Sequence, residues 1–240
     1  MMLFKKLIAS SGVKTKQLHI EFGANYRADG AATITLDTTA GSATPNEEML
    51  LIGIASTYDD DSNDLGVFTI DGVTPTPLYS AVDNTDEEHA GLFVGVKSIT
   101  NGDYTQTIFS DPENLQLDQA ITTDFRLSYC RVLGKSNMYV VKQGQFVGTA
   151  YPYSASATEA QKGDLIVAIM NVRHSSNADT LNVSSSTHDV ALLFADTIET
   201  YPRFKIFTIE IDDNTVPSFT FNATDAYQQG VAMYLLLRGA

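Results

Sequence analysis

The run Gly163-Asp164-Leu165-Ile166-Val167-Ala168-Ile169-Met170 constrains this chain most. A short, β-branched apolar run entered from a charged turn reads as a strand buried on both faces. Met49-Leu50-Leu51-Ile52-Gly53-Ile54-Ala55 has the same character, and two such strands predict two modules.

Alignment of the halves extends the match in a constant order. Leu50 to Ser56 lies over Leu165 to Asn171 at an offset of 115, and Leu92 to Val96 lies over Lys205 to Ile209 at 113. That second offset carries Ile108 onto Phe221, while Phe125 to Gly134 lies over Gly230 to Gly239 at 105. The offset changes only in turn-rich segments, as it should if two copies differ by loop insertions.

Within each copy, short runs rich in Val, Ile, Phe, Tyr and Thr are broken by Gly, Asn, Asp, Ser or Pro, the pattern of an all-β sandwich. The first copy predicts strands near 18–26, 32–37, 49–56, 66–70, 77–82, 91–99, 104–109 and 125–133. The second predicts them near 138–143, 150–155, 164–171, 180–183, 189–195, 203–211, 217–221 and 230–238. Ile209 and Ile211 alternate with Thr208 and Glu210, as in a strand with one solvated face. The best helix candidate is a turn or two over Pro112 to Leu117. The expected architecture is all-β: an arm at 1–16 and two tandem sandwich modules at 17–134 and 135–240, jelly-roll-like or immunoglobulin-like. The joint near Gly134-Lys135-Ser136-Asn137 is too short for a flexible tether, so the modules should sit close together.

Charge divides the chain further. The net charge is −14, which argues against nucleic acid or an anionic membrane as partner. Residues 1–16 carry four lysines and no acid, residues 17–134 carry 19 acids against four bases, and residues 135–240 carry ten acids against seven bases. A basic arm before an acidic module suggests a partner contact. In that arm Leu7-Ile8-Ala9 is too short for the apolar region of a secretory signal, so the segment is expected to be retained. Leu3, Phe4, Leu7 and Ile8 could pack on a neighbour while Lys5 and Lys6 meet acidic surface; a frayed end is the plain alternative. No window approaches the roughly 18 apolar residues of a membrane-crossing helix.

Catalytic and metal signatures are weak. Cys130, the one cysteine, sits in an apolar strand and reads as a small buried residue. Asp59, Asp61 and Asn63 alternate as calcium ligands would, but Asp64 and Ile70 stand where an EF-hand needs Gly and Glu. A solvated hairpin tip is the reading, with a looser β-loop calcium site as alternative. Ser184, Ser185, Ser186, His188 and Asp189 read as a loop, because triads are assembled in space rather than by adjacency. His19, His89, His174 and His188 lie in unrelated segments, without cysteine partners or helical spacing for zinc. No catalytic residue, cofactor or metal ligand is expected. Tyr139, Tyr151, Tyr153, Tyr201 and Phe146 could line a sugar-binding face, though such aromatics also build cores.

With the duplication in view, the chain resembles the tandem β-sandwich accessory proteins of tailed-bacteriophage virions. The features are the Gly163 to Met170 entry, Thr/Ser/Asn-rich turns, a penultimate Phe219-Thr220-Phe221-Asn222-Ala223-Thr224 strand, and a closing strand ending Arg238-Gly239. The resemblance implies a non-enzymatic virion protein, oligomeric, held to other capsid or tail proteins as a decoration, cement or appendage subunit. A carbohydrate-binding module for host-surface glycans is the alternative.

Overall fold

A computed structural model describes residues 18–28, 33–37, 48–59, 67–70, 77–83, 89–99, 114–118, 125–134, 138–148, 151–173, 181–196, 203–223 and 229–239. The described residues contain no helix, and so none long and apolar enough to cross a membrane. They form sixteen strands. The first half holds β1 (Leu18–Ala28), β2 (Thr33–Asp37), β3 (Glu48–Asp59), β4 (Val67–Ile70), β5 (Pro77–Asp83), β6 (His89–Ile99), β7 (Asn114–Asp118) and β8 (Phe125–Gly134). The second holds β9 (Tyr139–Gly148), β10 (Tyr153–Ser156), β11 (Leu165–Arg173), β12 (Asn182–Ser185), β13 (Val190–Ala195), β14 (Arg203–Glu210), β15 (Ser218–Asn222) and β16 (Gln229–Arg238).

The strand order repeats. The first half forms sheets β1-β8-β3-β6-β5 and β2-β7-β4; adding eight to each label gives the sheets of the second half, β9-β16-β11-β14-β13 and β10-β15-β12. First strand beside eighth, second beside seventh and third beside sixth is the nested pairing of a jelly roll rather than of an immunoglobulin sandwich. In both halves the fifth strand joins the larger sheet, giving five strands against three. A one-residue irregularity recurs in that strand, between Pro77 and Tyr79 and between Leu192 and Phe194.

Register corrects the internal alignment. Ile52 faces Cys130 as Val167 faces Leu235, which preserves the offsets 115 and 105. However, Ile54 faces Val94 as Ile169 faces Ile206, so β6 maps onto β14 at 112 rather than 113. A slip of one residue would turn every side chain of β14 to the wrong face. The helix candidate is also corrected. Of the helix candidate Pro112 to Leu117, the described part from Asn114 onward belongs to strand β7, hydrogen-bonded to both β2 and β4. Its sequence alternates polar and apolar residues with the period of a strand. The strand expected at 104–109 lies outside the described residues, as does the joint at 135–137.

Two repeated contacts hold the large sheets in shape. Tyr129 lies over Gly23 and Tyr234 over Gly144: a Cβ on either glycine would come within 1.8 or 2.2 Å of the ring. Only a residue without a side chain leaves room for an aromatic laid across the neighbouring strand. The second contact lies between the copies. Leu18 and Met138 are equivalent by position, as are Gly134 and Gly239, and a Cβ on either glycine would meet Leu18 Cδ2 at 2.9 Å and Met138 within 3.7 Å. Equivalent positions meeting one another is the signature of a two-fold, isologous contact.

The five-stranded sheets pack face to face, β6 against β16 and β11, β5 against β9, and β1 against β13, where Phe22 stacks on Phe194 with centroids 4.0 Å apart. A continuous core from both halves fills this space, including Ile52, Ile54, Leu92, Val94, Cys130 and Val132 from one and Val167, Ile169, Phe204, Ile206, Met233 and Leu235 from the other. A second core lies between the second large sheet and β10-β15-β12, around Ile166, Ala168, Phe207, Phe219, Phe221 and Leu236. The sheet β2-β7-β4 lies against the first large sheet, β4 near β6 and β2 near β8.

Every residue of β11 from Leu165 to Val172 is therefore buried, as the apolar run predicts. Strand β14 differs from expectation. Thr208 is only 7% exposed and Phe204 and Ile206 on its face are fully buried, leaving Glu210 to reach solvent. The face read as wet is covered by the other half. Cys130 lies inside the shared core, where burial pushes its thiol pKa up and suppresses the thiolate.

Candidate functional site

The residues assigned to partner contact, Leu3, Phe4, Lys5, Lys6, Leu7 and Ile8, lie outside the described residues. So do Asp61, Asn63 and Asp64 of the acidic run, together with His174 and Tyr201. Of the aromatics, Phe146, Tyr151 and Tyr153 come together. Phe146 stacks on Tyr153 at 5.3 Å, Tyr151 meets Tyr153 edge-on at 4.6 Å, and Phe146 tilts against Phe221 at 5.5 Å. They pack on the second core as its partly buried margin. Tyr139, at the start of β9, is 48% exposed.

The charged turn before β11 and the arginine closing β16 prove to be one device. Arg238 donates from Nε to Asp164 Oδ1 at 2.9 Å and from a terminal nitrogen to Oδ2 at 2.7 Å, and also to the Glu159 carbonyl at 2.8 Å. The Gln161 N–H adds a bond to Asp164 Oδ2 at 2.8 Å. The bidentate carboxylate raises the Arg238 pKa above its ordinary value. Gly163, at φ +97°, adopts the left-handed conformation that brings the chain into this turn. At the established offsets the first-half equivalents are the facing residues Met49 and Leu133, so the ion pair belongs to the second copy alone.

A polar cluster around a buried imidazole joins two turns at one end of the second half. Strand β12 ends at Ser185, whose Oγ accepts from the Thr187 and His188 N–H groups at 3.3 Å and donates to the Ser218 carbonyl at 2.8 Å. This is a side-chain-closed turn of the kind serine favours. Thr187 Oγ1 accepts from the Ser218 N–H at 3.2 Å and lies 2.9 Å from His188 Nδ1. The His188 side chain is fully buried, and its Nε2 faces the β14–β15 turn, 3.3 Å from Asp213 Oδ1 and 4.0 Å from Asp212 Oδ1. Both aspartates are more than half exposed. The Thr215 N–H donates to Asp213 Oδ1 at 2.7 Å, and this bond, followed by the nearby imidazole, holds the Asp213 carboxyl below the usual carboxylate range.

Thr187, His188 and Asp213 thus form a row of hydroxyl, imidazole and carboxylate. The hydroxyl is engaged by Ser218 and Ser185 as well as by the imidazole, so the row stitches two turns together. Sequence reading treats His188 as a loop residue without partners. The missed signal is the β13–β14 register: Val190 faces Ile209, which brings position 188 opposite position 211, next to the paired aspartates.

No protein-family model matches the chain, and no curated protein is significantly similar to it.

Proposed function

We propose that this chain is a structural protein of tailed-bacteriophage particles, attached to capsid or tail as a decoration, cement or appendage subunit and acting through surface contacts. The observation that supports this most is the fusion of two eight-strand jelly rolls through one shared core. Such a build gives a stiff body with extensive outer surface, and jelly rolls recur among viral coat proteins. That analogy concerns fold, so the surface must carry the rest. Both outer strands of the second large sheet expose apolar side chains, Tyr139 and Val147 on β9 and Leu192, 55% exposed, on β13. Outer strands with apolar side chains are where neighbouring chains add or dock. The basic arm and acidic first half give complementary charge for contacts between subunits.

Purified particles of the virus that encodes the chain provide the test. The chain should be found in them at stoichiometric abundance by mass spectrometry. Deleting residues 1–16 should abolish incorporation while leaving the thermal transition in place. Particles lacking the chain would overturn the proposal. Calcium-dependent binding to a glycan array, lost on Tyr139→Ala, would instead support the host-glycan module.

A further inference from the structure

Beyond that role, we propose that His188, Asp212 and Asp213 form a site for one divalent transition-metal ion of the zinc or manganese class, clamping the β12–β13 turn to the β14–β15 turn. One ligand atom from each residue lies within 4.8 Å of the other two. Ligands each about 2.1 Å from one ion in tetrahedral geometry stand about 3.4 Å apart. The widest pair must therefore close by at most about 1.4 Å, which rotation of the exposed Asp212 side chain supplies.

The imidazole provides the independent reason. His188 Nε2 is buried and makes no hydrogen bond of acceptable geometry, although Asp213 Oδ1 is only 3.3 Å away. A buried polar atom without a hydrogen bond is costly, and a cation between Nε2 and the carboxylates satisfies it. The ring is already oriented for coordination. With metal on Nε2, Nδ1–H donates to Thr187 Oγ1, itself fixed by the Ser218 N–H, while Thr215 pins Asp213. Such outer partners are what hold a histidine ligand in place.

One nitrogen and two carboxylate ligands suit zinc or manganese better than calcium, which takes six to eight oxygens. Three protein ligands leave a position for water or for a donor from a neighbouring molecule. Among the described residues no other group of three such ligands is gathered this way.

The test is isothermal titration of the chelator-treated full chain with zinc chloride, in parallel with manganese and calcium. One zinc ion per chain should bind with micromolar or tighter affinity, and the melting temperature should rise with excess zinc. His188→Ala removes a buried ring and could unfold the turn. The deciding variant is therefore the Asp212→Asn, Asp213→Asn pair, which keeps shape at exposed positions. Its metal-free melting temperature should match the parent, and its zinc affinity should fall at least about tenfold, since loss of even an outer partner weakens a site that much. No stoichiometric zinc, undiminished affinity in the double variant, or calcium bound in preference to zinc would each overturn the proposal.

Discussion

The second large sheet has two covered faces that differ in partner and in composition. Toward its own three-stranded sheet, small residues such as Ala168 and Ala232 share a core with the rings of Phe219, Phe221 and Tyr234. Toward the other half, Val167, Ile169, Met233 and Leu235 share a core with Ile52, Ile54 and Val94, aliphatic side chains of similar size. The residues named on both faces are almost completely buried. Contacts between domains are usually more polar than this. A boundary as dry as the interior means that neither half can leave the other without exposing a core, so the two should unfold as one body.

The largest effect expected from this comparison comes from adjacent residues on opposite faces. Leu235→Ala and Leu236→Ala should each cost about 3 kcal/mol, with chemical denaturation still following a single transition. Two separated transitions for Leu235→Ala alone would mean that the halves are merely docked. Asp164→Ala comes next. Removing one partner from a fully buried pair costs about 3–5 kcal/mol, but Arg238 is partly exposed and can turn toward water, so about 2 kcal/mol is expected by urea unfolding. Met49→Ala, at the equivalent position, breaks no ion pair; an equal loss there would remove the distinction between the copies.

Smaller still is the paired-glycine experiment. Gly144→Ala forces a methyl group into the Tyr234 ring and should cost about 1–2 kcal/mol, and Gly23→Ala should do the same against Tyr129. Clearly unequal losses in the two variants would show that the repeat in shape is not a repeat in energetics. Smallest is Lys142→Ala. Lys142 donates to both oxygens of Glu159 at 2.9 and 2.8 Å, yet both side chains face solvent, so its melting temperature should match the parent's.

Much of the fold was legible because burial on both faces writes itself into composition. The continuous apolar runs of β3 and β11 located the centres of both large sheets, and the 105 offset located β8 and β16. Strand β14 misled for the complementary reason. Thr208 looks like a solvent residue, and only the covering half makes its face an interior one. Strand β7 misled because five residues are too few for periodicity to separate strand from helical turn. Serine and histidine identities could not reveal the His188 cluster, since its aspartates come from another turn, and proximity depended on strand register. The Gly23–Tyr129 and Gly144–Tyr234 pairs were within reach: each tyrosine is equivalent under the 105 offset, but their glycines lie outside the blocks that offset covers.

The meeting of Leu18, Gly134, Met138 and Gly239 brings the start of the first described strand, the residue after the last one and the described residues on either side of the joint to a single point. Connecting Gly239 to Leu18 by a short bridge and opening the chain between Gly134 and Met138 would exchange the order of the two copies while leaving every strand where it stands. A circular permutant of that kind should fold to the same stack, because the architecture is indifferent to which copy is synthesised first.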